Sequence, residues 1–301
     1  MKLPNYPDFK ILELSDKDTI ESFAGRFPTS SDYYFPGWWS WDTESKTLIS
    51  QLNGNLVTKR VDYLKGTFFY SFLGTSKVEE TASLLVDRAR SEGISEELKL
   101  ILGVTVERFQ DKSDWNVVED PENHDYLLLV EKICGMKGGN LHSKRRKVNR
   151  FIENYNATVT VVDSQDLTLQ KDLLELWRRW SNITGKDNTE TEQELRVFEK
   201  MFGAVQYFKV EALCVYVDGN LEGFVIFEDL KNGNVISSFE KGNTHFMGIY
   251  EFMKFKLAIC LKSRGCKHIN IEQDLGNEGL RSAKSGYAPE YLKKFRIRRK
   301  V

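Results

Sequence analysis

The sequence predicts an α/β (α+β) fold built from two tandem modules, each a mixed, mostly antiparallel sheet flanked by helices. Three observations lead there. The chain has 301 residues, long for a single hydrophobic core and sufficient for two domains of ordinary size. Extended and helical patterns alternate along it, as they do in α/β proteins. One order of elements, hairpin then strand then helix then strand, also occurs twice. Its turn glycine, post-strand glycine and helix-ending glycine stand at 54, 74 and 93, and again at 219, 242 and 265. The intervals, 20 and 19 against 23 and 23, are similar without being equal, as a weak internal duplication would leave them.

In the first module, two extended segments within 48–64 flank Asn53-Gly54, the dipeptide best suited to a tight hairpin turn. The β-rich run TFFYSFLG follows. Ser76-x-x-Glu79 then reads as a capping box, with Val78, Ala82, Leu85 and Ala89 on one helical face and Gly93 at the stop. Residues 98–104 return as a strand. Before all of these, YYFPGWWSW at 33–41 concentrates aromatic side chains, which serve a core or line an apolar groove.

Several helices lie between the modules. Residues 144–154 are basic on one side and carry Val148, Phe151 and Ile152 on the other. Leu169, Leu173, Leu176, Trp177 and Trp180 mark a second amphipathic helix. The polar loop GKDNTET precedes a third, with Thr191-x-x-Glu194 as its capping box and Gly203 at its end. The domain boundary is expected just before the strand ATVTVV, giving domains 1–155 and 156–301. The second module then turns at Asp218-Gly219, continues through VISSFEKG, runs as a helix from about Gly248 to Gly265, and returns in HINI.

Composition narrows the function classes. Hydrophobic residues are 41% and charged residues 29%, which excludes a disordered chain. Cys134, Cys214, Cys260 and Cys266 show no CxxC spacing and no histidine pair at zinc-finger intervals, so no metal site is expected and a reducing compartment is. The N-terminal stretch lacks the layout of a secretion signal, and no window reaches the ~18–20 apolar residues of a membrane span. A soluble, cytoplasmic protein is the expectation. The net charge of −1 conceals a cluster, because Lys144, Arg145, Arg146, Lys147 and Arg150 fall within seven residues. A second basic run, Lys293, Lys294, Arg296, Arg298, Arg299 and Lys300, reads as a tail. Phosphates of RNA or of an anionic surface are natural partners for such patches, and a merely solvated face is the plain alternative.

Chemistry is expected in 269–295. There a short β-branched run gives way to Glu272, Asp274, Glu278, Arg281 and Lys284 among Gly276, Gly279 and Gly286. Carboxylates beyond a strand end, followed by glycines and a basic helix, suit a cleft at the mouth of an α/β sheet. Upstream, a strand ending near Glu240, a glycine-containing loop and a helix starting near Gly248 offer backbone amides to an anion such as a pyrophosphate. GNAT-type acetyltransferases use Gln/Arg-x-x-Gly-x-Gly/Ala at that place, and His245-x-x-Gly248-x-Tyr250 is a degenerate match in which Tyr250 crowds a pyrophosphate.

Three segments resemble the phosphatidylglycerol lysyltransferase C-terminal-domain family. They are DYLLLVEKICGMKGGNLHSKRRKVNRF, matching at Gly138, His142, Lys144, Arg145, Asn149 and Phe151, then FEKGNTHFMGIYEF, matching at Glu240, Lys241 and Gly248, and INIEQDLGNEGLRSAKSGYAP. In the last, Glu272, Gln273, Asp274, Gly276, Arg281, Lys284 and Tyr287 are in register. Ile271, where the family tends to have arginine, and Gly286, where serine is usual, depart from it. The resemblance implies two tandem GNAT-like domains related to the Fem transferases, and transfer of an aminoacyl group from tRNA to an amine or hydroxyl of a lipid or small molecule. It implies donor or substrate contacts at His142, Lys144, Arg145, Asn149, Lys241 and Gly248.

Such a transfer needs an acceptor deprotonated, a carbonyl oxygen stabilised and a leaving group protonated. Glu240, Glu272 and Asp274 are the candidate bases or clamps for an acceptor ammonium. Tyr287 is the candidate acid, and Arg281 and Lys284 the candidates for holding a donor phosphate or polarising the carbonyl. No resident cofactor is expected. The donor is aminoacyl-tRNA or, alternatively, an acyl-coenzyme A, and a silent module that binds RNA or an acidic partner is the alternative outside enzymology.

Overall fold

The computed structural model describes residues 3–62, 65–111, 113–185 and 189–300; residues 186–188 of the GKDNTET loop lie outside them. In chain order the elements are β1 (Lys10–Ile11), α1 (Lys17–Ala24), α2 (Phe35–Trp41), β2 (Leu48–Leu52), β3 (Asn55–Val61), β4 (Phe68–Leu73), α3 (Val78–Ser91), β5 (Leu98–Leu102), α4 (Gly103–Val106), β6 (Trp115–Glu119), β7 (Asp125–Leu129), α5 (Val130–Gly135) and α6 (His142–Asn154). There follow β8 (Ala157–Asp163), α7 (Leu167–Thr184), α8 (Thr189–Gly203), β9 (Glu211–Val217), β10 (Asn220–Asp229), β11 (Asn234–Gly242), α9 (Ile249–Ser263), β12 (His268–Asn270), α10 (Glu278–Ser285), β13 (Glu290–Leu292) and β14 (Lys294–Arg299). The fold is of the expected α/β class, two units with mixed or antiparallel sheets flanked by helices. Both hairpins form where expected. Asn53 and Gly54 have φ of 56° and 80°, Asp218 and Gly219 of 50° and 83°, the left-handed pair that a tight hairpin requires.

The chain divides into two compact units, one of Met1–Asp125 with Tyr291–Val301, the other Tyr126–Glu290. This differs from the expected division at 155/156. β7 pairs with β12, with Leu128 opposite Ile269, and Ile133, Val148 and Phe151 of α5 and α6 share a core with Phe252 and Leu257 of α9. Residues 126–155 therefore pack with the second unit.

In the first unit β1, β2, β3 and β4 form one antiparallel sheet, and β5, β14 and β6 another. Val78, Ala82, Leu85 and Ala89 of α3 enter a core with Val57 and Phe72, as their spacing predicts. The capping box does not form. Lys77 takes the N-cap position without a side-chain cap, the Ser76 amide donates to Asn55 Oδ1 at 3.1 Å, and Glu79 receives the amide of Gln110. Nor is the basic C-terminal run a free tail. Lys294 is fully buried and pairs with Asp32 and Asp125, Arg299 pairs with Asp87, and Lys293 with Glu119. On strand β14 or just before it, these cations are spent inside their own unit.

The second unit holds the strands β7, β12, β11, β10, β9 and β8 in that order. β11 and β12 are parallel and pair only over Asn234–Ile236 with His268–Asn270. β11 continues to Gly242 without that neighbour. The two strands thus part like the arms of a fork, as strands do where an α/β sheet opens a site. Ile249 and Met253 of α9 press on one face so closely that a Cβ on Gly223 would stand 2.7 Å from Met253 Sδ. Trp177 of α7 and Phe198 of α8 meet Phe239 edge to face from the other.

Candidate active site

The fork carries Glu240 on its free arm. One carboxylate oxygen, Oε2, receives Lys254 Nζ from α9. The other, Oε1, is buried and has no hydrogen-bond partner among the described residues. A carboxylate oxygen kept from water without a donor is costly, and such a group is what a proton acceptor or an incoming N–H needs. Tyr287, 4% exposed, lies beside it. Its ring meets Lys144 Nζ at 4.5 Å and Lys254 Nζ at 5.7 Å. Burial first, then the negative charges of Glu240 and Glu251, push the Tyr287 phenol well above its ordinary range. Tyr250 is likewise pushed up to about 12, by burial and then by Glu240.

Behind Tyr287 lies a second charged group. Glu251 of α9, 7% exposed, accepts from Lys144 at 3.3 Å and Lys147 at 2.9 Å. Burial alone would raise its carboxyl, but the Lys147 hydrogen bond and the charges of both lysines hold it below the usual range. Lys144 thus faces inward, while Arg145 donates to the Met136 carbonyl at 2.9 Å and fixes the entry to α6. His142, Arg146, Lys147, Asn149 and Arg150 lie on the exposed face of the same helix.

The carboxylate-rich loop is arranged otherwise than expected. Asp274 is fully buried and accepts four hydrogen bonds: from Tyr126 Oη at 2.5 Å, Arg281 Nε and Nη2 at 3.0 Å each, and the Gly276 amide at 2.8 Å. Burial would raise its carboxyl, but the bonds from Arg281, Tyr126 and Gly276 outweigh that and hold it below the usual aspartate range. With its lone pairs so engaged, Asp274 anchors the loop and Arg281 is its counterion. Lys284 donates to the carbonyls of Ile271 and Gln273 at 2.6 and 2.5 Å. Glu272 takes a left-handed backbone, φ 59°, and its own carbonyl receives the Tyr126 amide at 3.2 Å. Of the candidate carboxylates, Asp274 is thus committed to Arg281, while Glu240 meets Lys254 and Tyr287.

Two further expectations change. Lys241 points to the other face of the sheet, where it pairs with Glu194 at 2.9 Å between the rings of Trp177 and Trp180, at 4.3 and 4.0 Å. Strand alternation alone separates it from Glu240. Gly248 has φ 95°, and a Cβ there would stand 2.6 Å from the Lys147 carbonyl oxygen. The glycine lets α6 approach α9. Four amides of the preceding loop are also occupied: Gly242 by Tyr250 Oη, Asn243 by the Glu222 carbonyl, His245 by Asn243 Oδ1, and Phe246 by the Asn243 carbonyl. A pyrophosphate would have to displace these bonds.

Lys254, Glu251 and Tyr126 were not singled out in the sequence. The one available signal was Glu251, Lys254 and Lys256 inside the otherwise apolar run of α9.

Residues 27–298 match the family described as phosphatidylglycerol lysyltransferase, C-terminal. The chain belongs to that family. A conserved protein of unknown function from Bacteroides thetaiotaomicron VPI-5482 superposes with a TM-score of 0.83 at 23% identity, over 97% of this chain and 99% of the other. The C-terminal domain of a putative lysylphosphatidylglycerol synthetase from Agrobacterium fabrum does so with a TM-score of 0.65 at 12% identity, over 94% and 91%. At these identities the likeness shows a shared fold. An uncharacterized protein of Mycoplasmoides gallisepticum is 21% identical over 192 residues, which span 64% of this chain and 61% of that protein. Among the described residues no helix is long and apolar enough to cross a membrane, and no cluster of three or more His, Cys, Asp or Glu could hold a metal.

Proposed function

We propose that this protein is an aminoacyltransferase that moves an aminoacyl group from aminoacyl-tRNA to an amine or hydroxyl of a lipid or small-molecule acceptor, at the fork of β11 and β12. The unpartnered, buried Oε1 of Glu240 carries the proposal. The acceptor N–H or O–H donates to that oxygen, its nitrogen or oxygen bonds to the aminoacyl carbonyl carbon, and the ester bond to the tRNA ribose breaks. The proton lost by the acceptor ends on the ribose oxygen. Tyr287 stays a phenol at neutral pH, so its role is to donate a hydrogen bond to the developing oxyanion. Lys254 holds Glu240 in place, and the Asp274–Arg281 pair with Lys284 shapes the loop beside it.

Two features favour tRNA over an acyl-coenzyme A as donor. Four of the loop amides before α9, those of Gly242, Asn243, His245 and Phe246, are already bonded within the chain, and α6 presents exposed Arg146, Lys147 and Arg150 to a polyphosphate backbone. The test is transfer itself, from a labelled mixed aminoacyl-tRNA pool to amine and hydroxyl acceptors. Label should move to an acceptor, and Glu240→Gln should slow this by about 10²–10⁴-fold with an unchanged circular dichroism spectrum. A melting temperature raised by an acyl-coenzyme A and untouched by tRNA would overturn the reading.

A further inference from the structure

The aromatic segment 33–41 takes no part in the site described above, and it holds an unmet demand of its own. Arg60, on β3, and Trp38, on α2, are both only 6% exposed. The guanidinium carbon stands 4.0 Å from the centre of the Trp38 ring and 4.8 Å from that of Tyr33, while Tyr33 and Trp38 meet edge to face at 5.7 Å. Arg60 is therefore held between two rings. Nε donates to Thr58 Oγ1 at 3.2 Å and Nη1 to the Asp32 carbonyl at 2.8 Å. Its remaining nitrogen, Nη2, is buried without a partner, and so is the indole Nε1 of Trp38.

Buried N–H groups are almost always bonded, and a buried guanidinium usually faces a carboxylate. Here the nearby carboxylates are committed elsewhere. Asp125 accepts from Ser31 N and Oγ at 2.8 and 2.6 Å and pairs with Lys294 at 2.7 Å. Asp32 receives Ser30 Oγ at 3.1 Å and also pairs with Lys294. Among the described residues Arg60 has no ion-pair partner. Two donors of different chemistry, one of them cationic, thus sit in one stacked pair of side chains that still reaches the surface.

We infer that the first unit contains an oxyanion-binding site, in which a carboxylate or phosphate group accepts from Arg60 Nη2 and Trp38 Nε1. Planar guanidinium recognition of such groups is what arginine does better than lysine. The flanking rings suit a ligand with an apolar body behind its anionic head.

The indole N–H signals of the six tryptophans offer a direct readout. The Trp38 signal is identified as the one lost in Trp38→Phe, or by triple-resonance assignment if that variant does not fold. Inorganic phosphate, and separately acetate, are titrated against the full chain at constant ionic strength. The Trp38 signal should move saturably with at least one of them while the other five stay fixed. Arg60→Lys should weaken that response by about tenfold or more, the loss of one charge-assisted bond. A Trp38 signal fixed in both titrations, a response unchanged by Arg60→Lys, or exchange cross-peaks to a bound water that persist at saturating anion would overturn the assignment.

Discussion

Counted back from the glycine that follows the strand, Glu240 stands two residues before Gly242, and the residue two before Gly74 in the first unit is Phe72. Counted back from the helix-ending glycine, Lys254 stands eleven before Gly265, and the residue eleven before Gly93 is Ala82. The ion pair at the fork of the second unit thus corresponds in position to two core residues, each with 0% exposure, in the first. The strands differ accordingly. β11 and β12 pair briefly and then part, whereas β4 and β5 belong to separate sheets. Thr105 Oγ1 donates to the Gly74 carbonyl at 2.7 Å, and Asn55 holds both the Ser76 carbonyl and Thr81. The same order of elements serves a charged opening in one copy and a sealed core in the other. Within one order of elements, a pair of residues on facing elements distinguishes the candidate site from a core.

This contrast can be broken at several points. Lys294→Met should have the largest effect, because it leaves Asp32 and Asp125 buried without their cation. Loss of about 3–5 kcal/mol is expected, seen as an early first transition in urea while the second unit unfolds later. Coincident, unshifted transitions would show that the triad is not what holds the first unit.

Asp274→Asn probes the second unit through pH. The folded carboxyl lies below its ordinary value, so its contribution is complete above the unfolded value of about 3.9 and is lost as pH falls through the folded one. At pH 7 the variant should be less stable by about 1.5–3 kcal/mol, and the gap should narrow as pH falls below the unfolded value. A gap independent of pH would mean that the carboxylate charge plays no part.

Gly248→Ala should cost about 1–2 kcal/mol for the left-handed backbone alone, and more for the approach of Lys147. Transfer should fall with it, since α6 would be displaced from α9. Gly54→Ala, with open space around it, meets only the backbone term and should leave transfer untouched. The smallest effect is expected on the surface: Arg146→Ala should lower the salt slope of tRNA binding by roughly 0.7–0.9 without altering stability. A slope that does not change would remove α6 from the proposed interface.

Elements whose determinants are local were readable in the sequence. The two hairpins announced themselves through Asn-Gly and Asp-Gly, and α3 through four apolar residues at helical spacing. What misled was pairing at a distance. The boundary was misplaced because β7 finds β12 about 140 residues later, and nothing in DYLLLV names that partner. The cations of β14 looked like a nucleic-acid tail because Asp32, Asp87, Glu119 and Asp125, which neutralise them, lie far upstream. At the candidate site, Glu240, Tyr287 and Lys144 were singled out by their motifs. Their grouping could not, since it depends on Lys254 and Glu251 reaching across from a helix whose pattern advertises only its apolar side. Asp274 looked free because the four donors around it come from three separate places in the chain.

β14 also sets an order of events at the ribosome. Residues 126–290 are complete before Lys294 is made, so the second unit has all its strands in hand while the first still lacks the middle strand of one sheet and the cation for Asp32 and Asp125. Joining β5 to β6 and placing a cation between Asp32 and Asp125 therefore fall to residues made after the whole second unit.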